Sequence, residues 1–121
     1  MEWELLISQE YEEWFNALPQ KHKLAIATDL SVLENTGPTL GRPYVDQIKN
    51  SKFKNLKELR TKTSGHVYRS LFAFDPERHI VILSGGDKKG KDQERFYKKL
   101  IVQAETVFEK HLKNIQQRIK R

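Results

Sequence analysis

Two neighbouring runs of apolar residues, separated by a tight turn, restrict the fold of this chain more than any other feature. In the first run, residues 66–74, the apolar side chains fall into two sets of opposite parity: Val67, Leu71 and Ala73, and Tyr68, Phe72 and Phe74. The turn that follows, Asp75 to Arg78, has proline at its second position, and residues 79–83 form the second run. This pattern predicts an antiparallel hairpin, to which residues 55–60 add a third strand of a meander.

The segments before and after this meander predict helices. A short strand over residues 3–7 precedes an amphipathic helix over residues 9–18 and a second helix that begins at Pro19 and ends before Gly37. A long helix follows from about Lys91. The predicted fold class is therefore α+β, with an N-terminal strand, a helical hairpin, an antiparallel three-stranded meander and a C-terminal helix packed on the sheet. We expect the helices to cover one face of that sheet.

Two segments are predicted to be loops. Residues 38–53 show no sustained period and read as a long loop with at most a helical turn. Residues 84–90 are rich in glycine and lie between a strand and a helix, as phosphate loops do. They lack the spacing of known nucleotide-binding motifs, which argues against a nucleoside triphosphate site. The length predicts a single domain over residues 1–121, of which about 113–121 form a basic C-terminal extension.

The composition excludes several classes of protein. No cysteine is present, which excludes disulfides, a thiol nucleophile and cysteine metal ligands. Apolar runs are far shorter than a membrane span, and the first residues are acidic where a signal peptide would be basic. We therefore expect a cytoplasmic protein that does not bind membranes. The four histidines show no metal-ligand spacing, so we expect neither a metal nor another cofactor.

The charge is divided unevenly along the chain. Residues 1–35 carry seven acids and two bases, whereas residues 36–121 carry twenty bases and nine acids, which together give the formal charge of +6. Such an asymmetry favours a polyanionic partner, and nucleic acid is the first candidate.

Two residues of the basic half invite a functional interpretation. Arg69 shares parity with Val67 and Leu71, so it lies either partly buried in a cleft, where it needs an anion, or on an open sheet face. Glu58, which stands between Lys57 and Arg60, is either an ion-pair partner or a general base.

Three blocks of this sequence, in this order, resemble the HigB-like toxins of the RelE/ParE superfamily, a phage-derived family. The blocks, which together span residues 56–112, are Leu56-Lys57-Glu58-Leu59-Arg60, Tyr68-Arg69-Ser70-Leu71-Phe72-Ala73-Phe74-Asp75-Pro76, and Gly85-Gly86-Asp87-Lys88 with Arg95-Phe96-Tyr97, Ala104 to Phe108 and His111-Leu112. The resemblance implies a RelE-like fold and the toxin of a type II toxin–antitoxin system. Such toxins cut mRNA on the ribosome without a metal.

The resemblance also implies roles for individual residues. Arg60 and Arg69 are expected to clamp phosphate, and Lys88 to transfer a proton or bind phosphate. Tyr97 either stacks on a base, donates a proton or belongs to the apolar core of the last helix. Further cations are expected to bind RNA: Lys54, Lys57, Lys89, Lys91 and Arg95.

The implied partners are a cognate antitoxin, typically a helix-turn-helix protein, and mRNA on the ribosome, with a higher oligomer as the toxin–antitoxin complex. Two alternatives remain open at this point. One is a ParE-like toxin that inhibits gyrase, and the other is a non-catalytic module that binds nucleic acid or an antitoxin.

Overall fold

The computed structural model describes residues 3–88 and 92–119, and a mixed sheet organises this part of the chain. The five strands of the sheet are β1 (Glu4–Ile7), β2 (Val45–Gln47), β3 (Lys57–Thr63), β4 (His66–Phe74) and β5 (His79–Asp87). Their order across the sheet is β1-β5-β4-β3-β2. Strands β3, β4 and β5 form the predicted antiparallel meander, and β1 joins it in parallel to β5.

The helices lie where the sequence predicts them. They are α1 (Gln9–Asn16), α2 (Gln20–Thr36) and α3 (Gln93–Ile119). The Oγ atom of Ser8 accepts a hydrogen bond from the Tyr11 N–H at 3.1 Å, which is the geometry of an N-cap. At the end of α2, Gly37 adopts a φ of 76°, a conformation that glycine reaches without steric cost.

The helices cover both faces of the sheet, so the expectation that they cover one face is wrong. Tyr68 and Phe72 of β4 pack with residues of α1 and α2, such as Tyr11. The intervening positions, such as Leu71, pack with Leu100 and other residues of α3. Because neighbouring strand residues point to opposite faces, the two apolar parities of β4 each fill a separate core.

The glycine-rich segment differs from its prediction. Residues 84–87 continue β5 and are not a loop. A Cβ atom on Gly85 would overlap the Trp14 ring, and one on Gly86 would lie 2.8 Å from Phe96. The glycines therefore allow an aromatic ring to pack against each face of the strand. The predicted loop residues 89 and 90 lie outside the described part of the chain.

Within the predicted loop of residues 38–53, the structure places a short strand. Gly37–Thr39 form a helical turn, and β2 then pairs with β3 through Val45 and Leu59. Three residues are too few to show the alternation by which a strand is recognised in a sequence.

The last turns of α3 are continuous with the rest of the helix. Ile115 is buried, and Nη2 of Arg118 lies 2.7 Å from Oε1 of Glu77 in the turn between β4 and β5. Residues 113–119 of the predicted extension are therefore helical, and Arg118 joins them to the turn between β4 and β5. Among the described residues, no helix is both long and apolar enough to cross a membrane.

Candidate active site

A cleft of about 1030 Å³ brings together the four residues predicted to be catalytic. Arg60 of β3, Arg69 of β4, Lys88 after β5 and Tyr97 of α3 all line it. The four residues come from separate elements of the fold. The cleft forms because α3 crosses the face of the sheet on which these strand positions lie.

Arg60 and Arg69 are neighbours because of the strand register. They are directly opposite each other in the antiparallel pair of β3 and β4, and opposite residues point to the same face. Arg69 is buried, with 5% of its surface exposed. Of the two interpretations left open by the sequence, the structure therefore supports the buried arginine in a cleft.

Glu58 is the carboxylate that the buried arginine requires. Its Oε1 atom lies 3.5 Å from Nε of Arg69 and 3.7 Å from Nε of Arg60. The same oxygen accepts a hydrogen bond from the Tyr97 hydroxyl at 3.0 Å. The Tyr97 hydroxyl in turn accepts a hydrogen bond from Nε of Arg69. Tyr97 thus presents its polar end to the cleft, although its ring also contacts the apolar core beneath α3.

Burial changes the protonation behaviour of two groups in this network. It raises the pKa of Glu58, and the hydrogen bond from Tyr97 and the charges of Arg69 and Arg60 oppose that rise only in part. Burial, together with the nearby charge of Glu58, raises the pKa of Tyr97 to about 12. The cleft therefore contains a carboxylate that holds a proton more readily than usual and a phenol that stays neutral at physiological pH.

Two of the cleft cations are held by few side-chain hydrogen bonds. Nε of Arg60 is buried and has no hydrogen-bond partner among the described residues. Nζ of Lys88 donates to the side-chain oxygen of Gln93 at 3.2 Å, an exposed contact that is easily exchanged. The Arg60 side chain is 38% exposed in all, so an anion in the cleft would reach it through its accessible atoms and not through Nε.

The residues predicted to bind RNA are not gathered at this cleft. Lys54 is exposed outside it, and Nζ of Lys57 lies 5.7 Å from the Phe74 ring. Arg95 lines a neighbouring pocket beside Trp14. Lys89 and Lys91 lie outside the described residues.

Other cations line the cleft that we did not predict as site residues: Arg42, Lys49 and Lys98. Lys49 and Lys98 belong to basic runs that the sequence displays, but sequence alone does not tell which member of a run turns inward. Arg42 comes from the irregular segment before β2, where no regular pattern of apolar residues indicates which way a side chain points.

His66, which begins the strand that carries Arg69, is not part of the cleft lining. Its Nδ1 atom lies 2.5 Å from Oδ2 of Asp87, and its ring stacks on Tyr68. Asp87 therefore interacts with a histidine on the face of α1 and α2.

The fold matches that of RelE proteins. The chain superposes with a TM-score of 0.61 on a double arginine-to-alanine variant of the Escherichia coli toxin RelE in its free state. That match has 13% identity and covers 84% of this chain and 96% of the other. An archaeal RelE–RelB complex from Pyrococcus horikoshii gives a TM-score of 0.55 at 17% identity, over 74% of this chain and 99% of the other. These likenesses establish a RelE-like fold.

Sequence comparison identifies the family within that fold. Residues 13–109 match the family described as phage derived protein Gp49-like (DUF891), and the chain belongs to this family. It is 44% identical over 86 residues to HigB3, a candidate toxin of Mycobacterium tuberculosis. The aligned residues cover 71% of this chain and 74% of that protein. It is 39% identical over 100 residues to HigB2 of the same organism, covering 82% of this chain but about half, 49%, of that protein. The predicted membership of the HigB-like group is confirmed, and the predicted RelE-like fold is confirmed with it.

Proposed function

We propose that this protein is the toxin of a type II toxin–antitoxin system and that it cleaves mRNA on the ribosome. The observation that carries the proposal is the cleft in which Arg60, Arg69 and Lys88 meet Glu58 and Tyr97. A cationic cleft with one buried carboxylate has the groups that a metal-independent transesterification of RNA requires.

In the proposed reaction, the 2′-oxygen of the RNA attacks the adjacent phosphorus and the bond from phosphorus to the 5′-oxygen breaks. Arg60 and Arg69 stabilise the charge on the pentavalent phosphate, since both guanidinium groups lie on one face of the sheet. Lys88 donates a proton to the departing 5′-oxygen. The products are a 2′,3′-cyclic phosphate and a free 5′-hydroxyl.

Glu58 is the group that takes the proton of the attacking 2′-hydroxyl. Burial raises its pKa, which makes it a stronger base than an exposed carboxylate, and the charges of Arg69 and Arg60 oppose that rise. The neutral Tyr97 hydroxyl donates to the carboxylate and fixes its orientation.

The proposed partners are a cognate antitoxin and the mRNA that a ribosome is translating. The RelE relative from Pyrococcus horikoshii is found in complex with RelB, which supports an antitoxin as partner. We further propose a helix-turn-helix antitoxin and a higher oligomer for the complex.

Inducible expression in a bacterium, followed by primer extension on a reporter mRNA, tests the activity. Wild type should arrest growth and produce cuts within translated codons, and Arg60→Ala should do neither. Lys62→Ala is the matched control, since Lys62 is an exposed cation on the same strand that does not line the cleft. Because Arg69 is buried beside Glu58, its alanine variant is informative only after its folding has been checked by circular dichroism.

Other outcomes of the same experiment contradict the proposal. Growth arrest with intact mRNA and inhibited supercoiling would indicate a ParE-like action on gyrase. Normal growth with wild type at full expression would indicate a binding module without activity. Equal cleavage by wild type and the Arg60 variant would place the chemistry outside this cleft.

A further inference from the structure

Two histidines and an aspartate meet at the carboxyl end of β4, away from the cleft. Oδ2 of Asp75 lies 2.9 Å from Nδ1 of His79 and 2.7 Å from Nε2 of His111. All three atoms lie within 4.8 Å of one another. Asp75 and His79 flank the turn between β4 and β5, and His111 comes from α3.

The aspartate is held in place by the backbone of the turn. Its Oδ1 atom accepts hydrogen bonds from the N–H groups of Glu77 at 2.9 Å and His79 at 2.8 Å. The Asp75 side chain is fully buried, whereas His79 and His111 retain 24% and 15% of their side-chain exposure. The carboxylate is therefore fixed in position, and the imidazoles leave a path from solvent.

We infer that Asp75, His79 and His111 form a binding site for a divalent transition-metal ion of the zinc type. Two imidazole nitrogens and one carboxylate oxygen are ligands that Zn²⁺ prefers, and a water molecule can fill the fourth tetrahedral position. The backbone hydrogen bonds to Oδ1 act as the outer shell that orients a carboxylate ligand.

The position of this site points to a stabilising role for the ion. His111 and Tyr97 are fourteen positions apart on α3, which is about 21 Å along a helix. An ion at His111 is thus remote from the cleft, and it would join α3 to the turn between β4 and β5. The same two imidazole nitrogens lie within hydrogen-bond distance of Oδ2 of Asp75, so a bound ion would replace these hydrogen bonds.

The sequence did not reveal this site, and the expectation that no metal would bind rested on local spacing. His111 is 36 positions from Asp75 along the chain. Only the packing of α3 on the sheet brings the three ligands together.

Zinc titration of the full chain, freed of metal with EDTA, tests the inference. Zinc chloride is added in isothermal titration calorimetry and in thermal unfolding. Wild type should bind one equivalent, and its Tm should rise with zinc concentration. His79→Asn and His111→Gln keep a side-chain donor near the position of the lost imidazole nitrogen, and each should weaken binding at least tenfold. His22→Asn is the control, because His22 contacts Tyr68 on the other face of the sheet, and it should bind zinc as wild type does.

A second measurement does not depend on the variants. Paramagnetic Co²⁺ added to wild type should first broaden the ring signals of His79 and His111 in NMR spectra and leave the ring of His22 sharp. The inference is overturned if wild type binds no zinc, if both variants bind it as tightly as wild type, or if Co²⁺ first broadens other histidines. Asp75 would then be only a hydrogen-bonded link between the turn and α3.

Discussion

Glu58 is the residue in which the stability and the proposed activity of this protein oppose each other. Glu58 is 6% exposed, and its carboxylate borders two arginines and a phenol. Burial disfavours the charged form, but only the charged form can accept a proton from RNA.

The Glu58→Gln variant should therefore lose cleavage activity. General-base catalysis contributes about 10²- to 10⁴-fold to a rate, and we expect single-turnover cleavage on programmed ribosomes to fall by that range. Wild-type cleavage should rise with pH through a pKa above 4.5, the usual value for glutamate, and the variant should lack this rise. A Gln variant that cleaves at the wild-type rate would remove Glu58 from the mechanism.

The same substitution should change how stability depends on pH. Because the pKa of Glu58 is raised on folding, the native state holds its proton more tightly than the unfolded chain does. This contribution to stability is complete below pH 4.5 and is lost as the pH rises through the raised native pKa. Urea unfolding of wild type should therefore show a loss of stability over this window relative to Glu58→Gln. Parallel curves for the two proteins would contradict the raised pKa.

Gly85 shows why a strand can carry glycine in its interior. An alanine there would place its Cβ in the Trp14 ring, and overpacking of this kind typically costs about 1–3 kcal/mol. We expect Gly85→Ala to lower the free energy of unfolding by that amount in urea titration. Gly41→Ala is the control, since no atom lies within 4 Å of the added Cβ, and equal effects of the two variants would refute the packing argument.

At the scale of elements, helix α3 does two separate things. Its first turns place Tyr97 in the cleft, and its last turns contain the buried Ile115 and contact the turn between β4 and β5 through Arg118. The sequence indicated the helix by its apolar period, but it left the state of the basic end open. Ile115 and Ile119 continue the apolar stripe equally in the sequence, and only the structure shows that one is buried and the other 75% exposed.

This difference makes a paired prediction possible. Ile115→Ala should lower the free energy of unfolding by about 2 kcal/mol, the lower end of the range for buried isoleucine, because the site is near a helix end. Ile119→Ala should change it by less than about 0.5 kcal/mol. Thermal unfolding of both variants measures the difference, and equal effects would contradict the burial of Ile115.

Elements that show a sustained apolar pattern or are bounded by a sharp turn could be predicted. Strand pairings that involve few residues, or residues far apart in the chain, could not. The meander of β3, β4 and β5 follows from alternation and the turn at Pro76. The three residues of β2 are too short to show alternation, and the parallel pairing of β1 with β5 joins residues more than seventy positions apart. The cross-strand pair of Arg60 and Arg69, on which the cleft depends, is set by the turn that joins β3 to β4. The predicted strand ended at residue 60, whereas β3 continues to Thr63, so this turn and the pairing were not predicted.

At the scale of the whole molecule, charge is divided between two sides. Residues 1–35, with a net charge of −5, form β1, α1 and nearly all of α2, whereas the cations of the cleft lie on the other face of the sheet. A molecule with one acidic and one basic side orients itself in the field of a charged partner before contact.

We predict from this division that an acidic surface of the antitoxin engages the cleft. The association rate, measured by stopped-flow fluorescence, should fall steeply as sodium chloride is raised from 50 to 500 mM, while the dissociation rate changes little. Reversing the cleft charge with Lys98→Glu should flatten this salt dependence more than the same reversal at Lys62. An association rate that does not respond to salt would exclude electrostatic steering.

The parallel pairing of β1 with β5 has a consequence for folding during synthesis of the chain. The chain makes β1 first, but its neighbour β5 is the last strand to be synthesised, and Tyr97 of the cleft follows later still. Such distant contacts close late in folding, since the intervening chain must be ordered first. A nascent chain thus has no complete cleft before Tyr97 has been synthesised. If the protein cleaves mRNA on the ribosome as proposed, the ribosome that translates this message is therefore out of its reach until Tyr97 has been added to the chain.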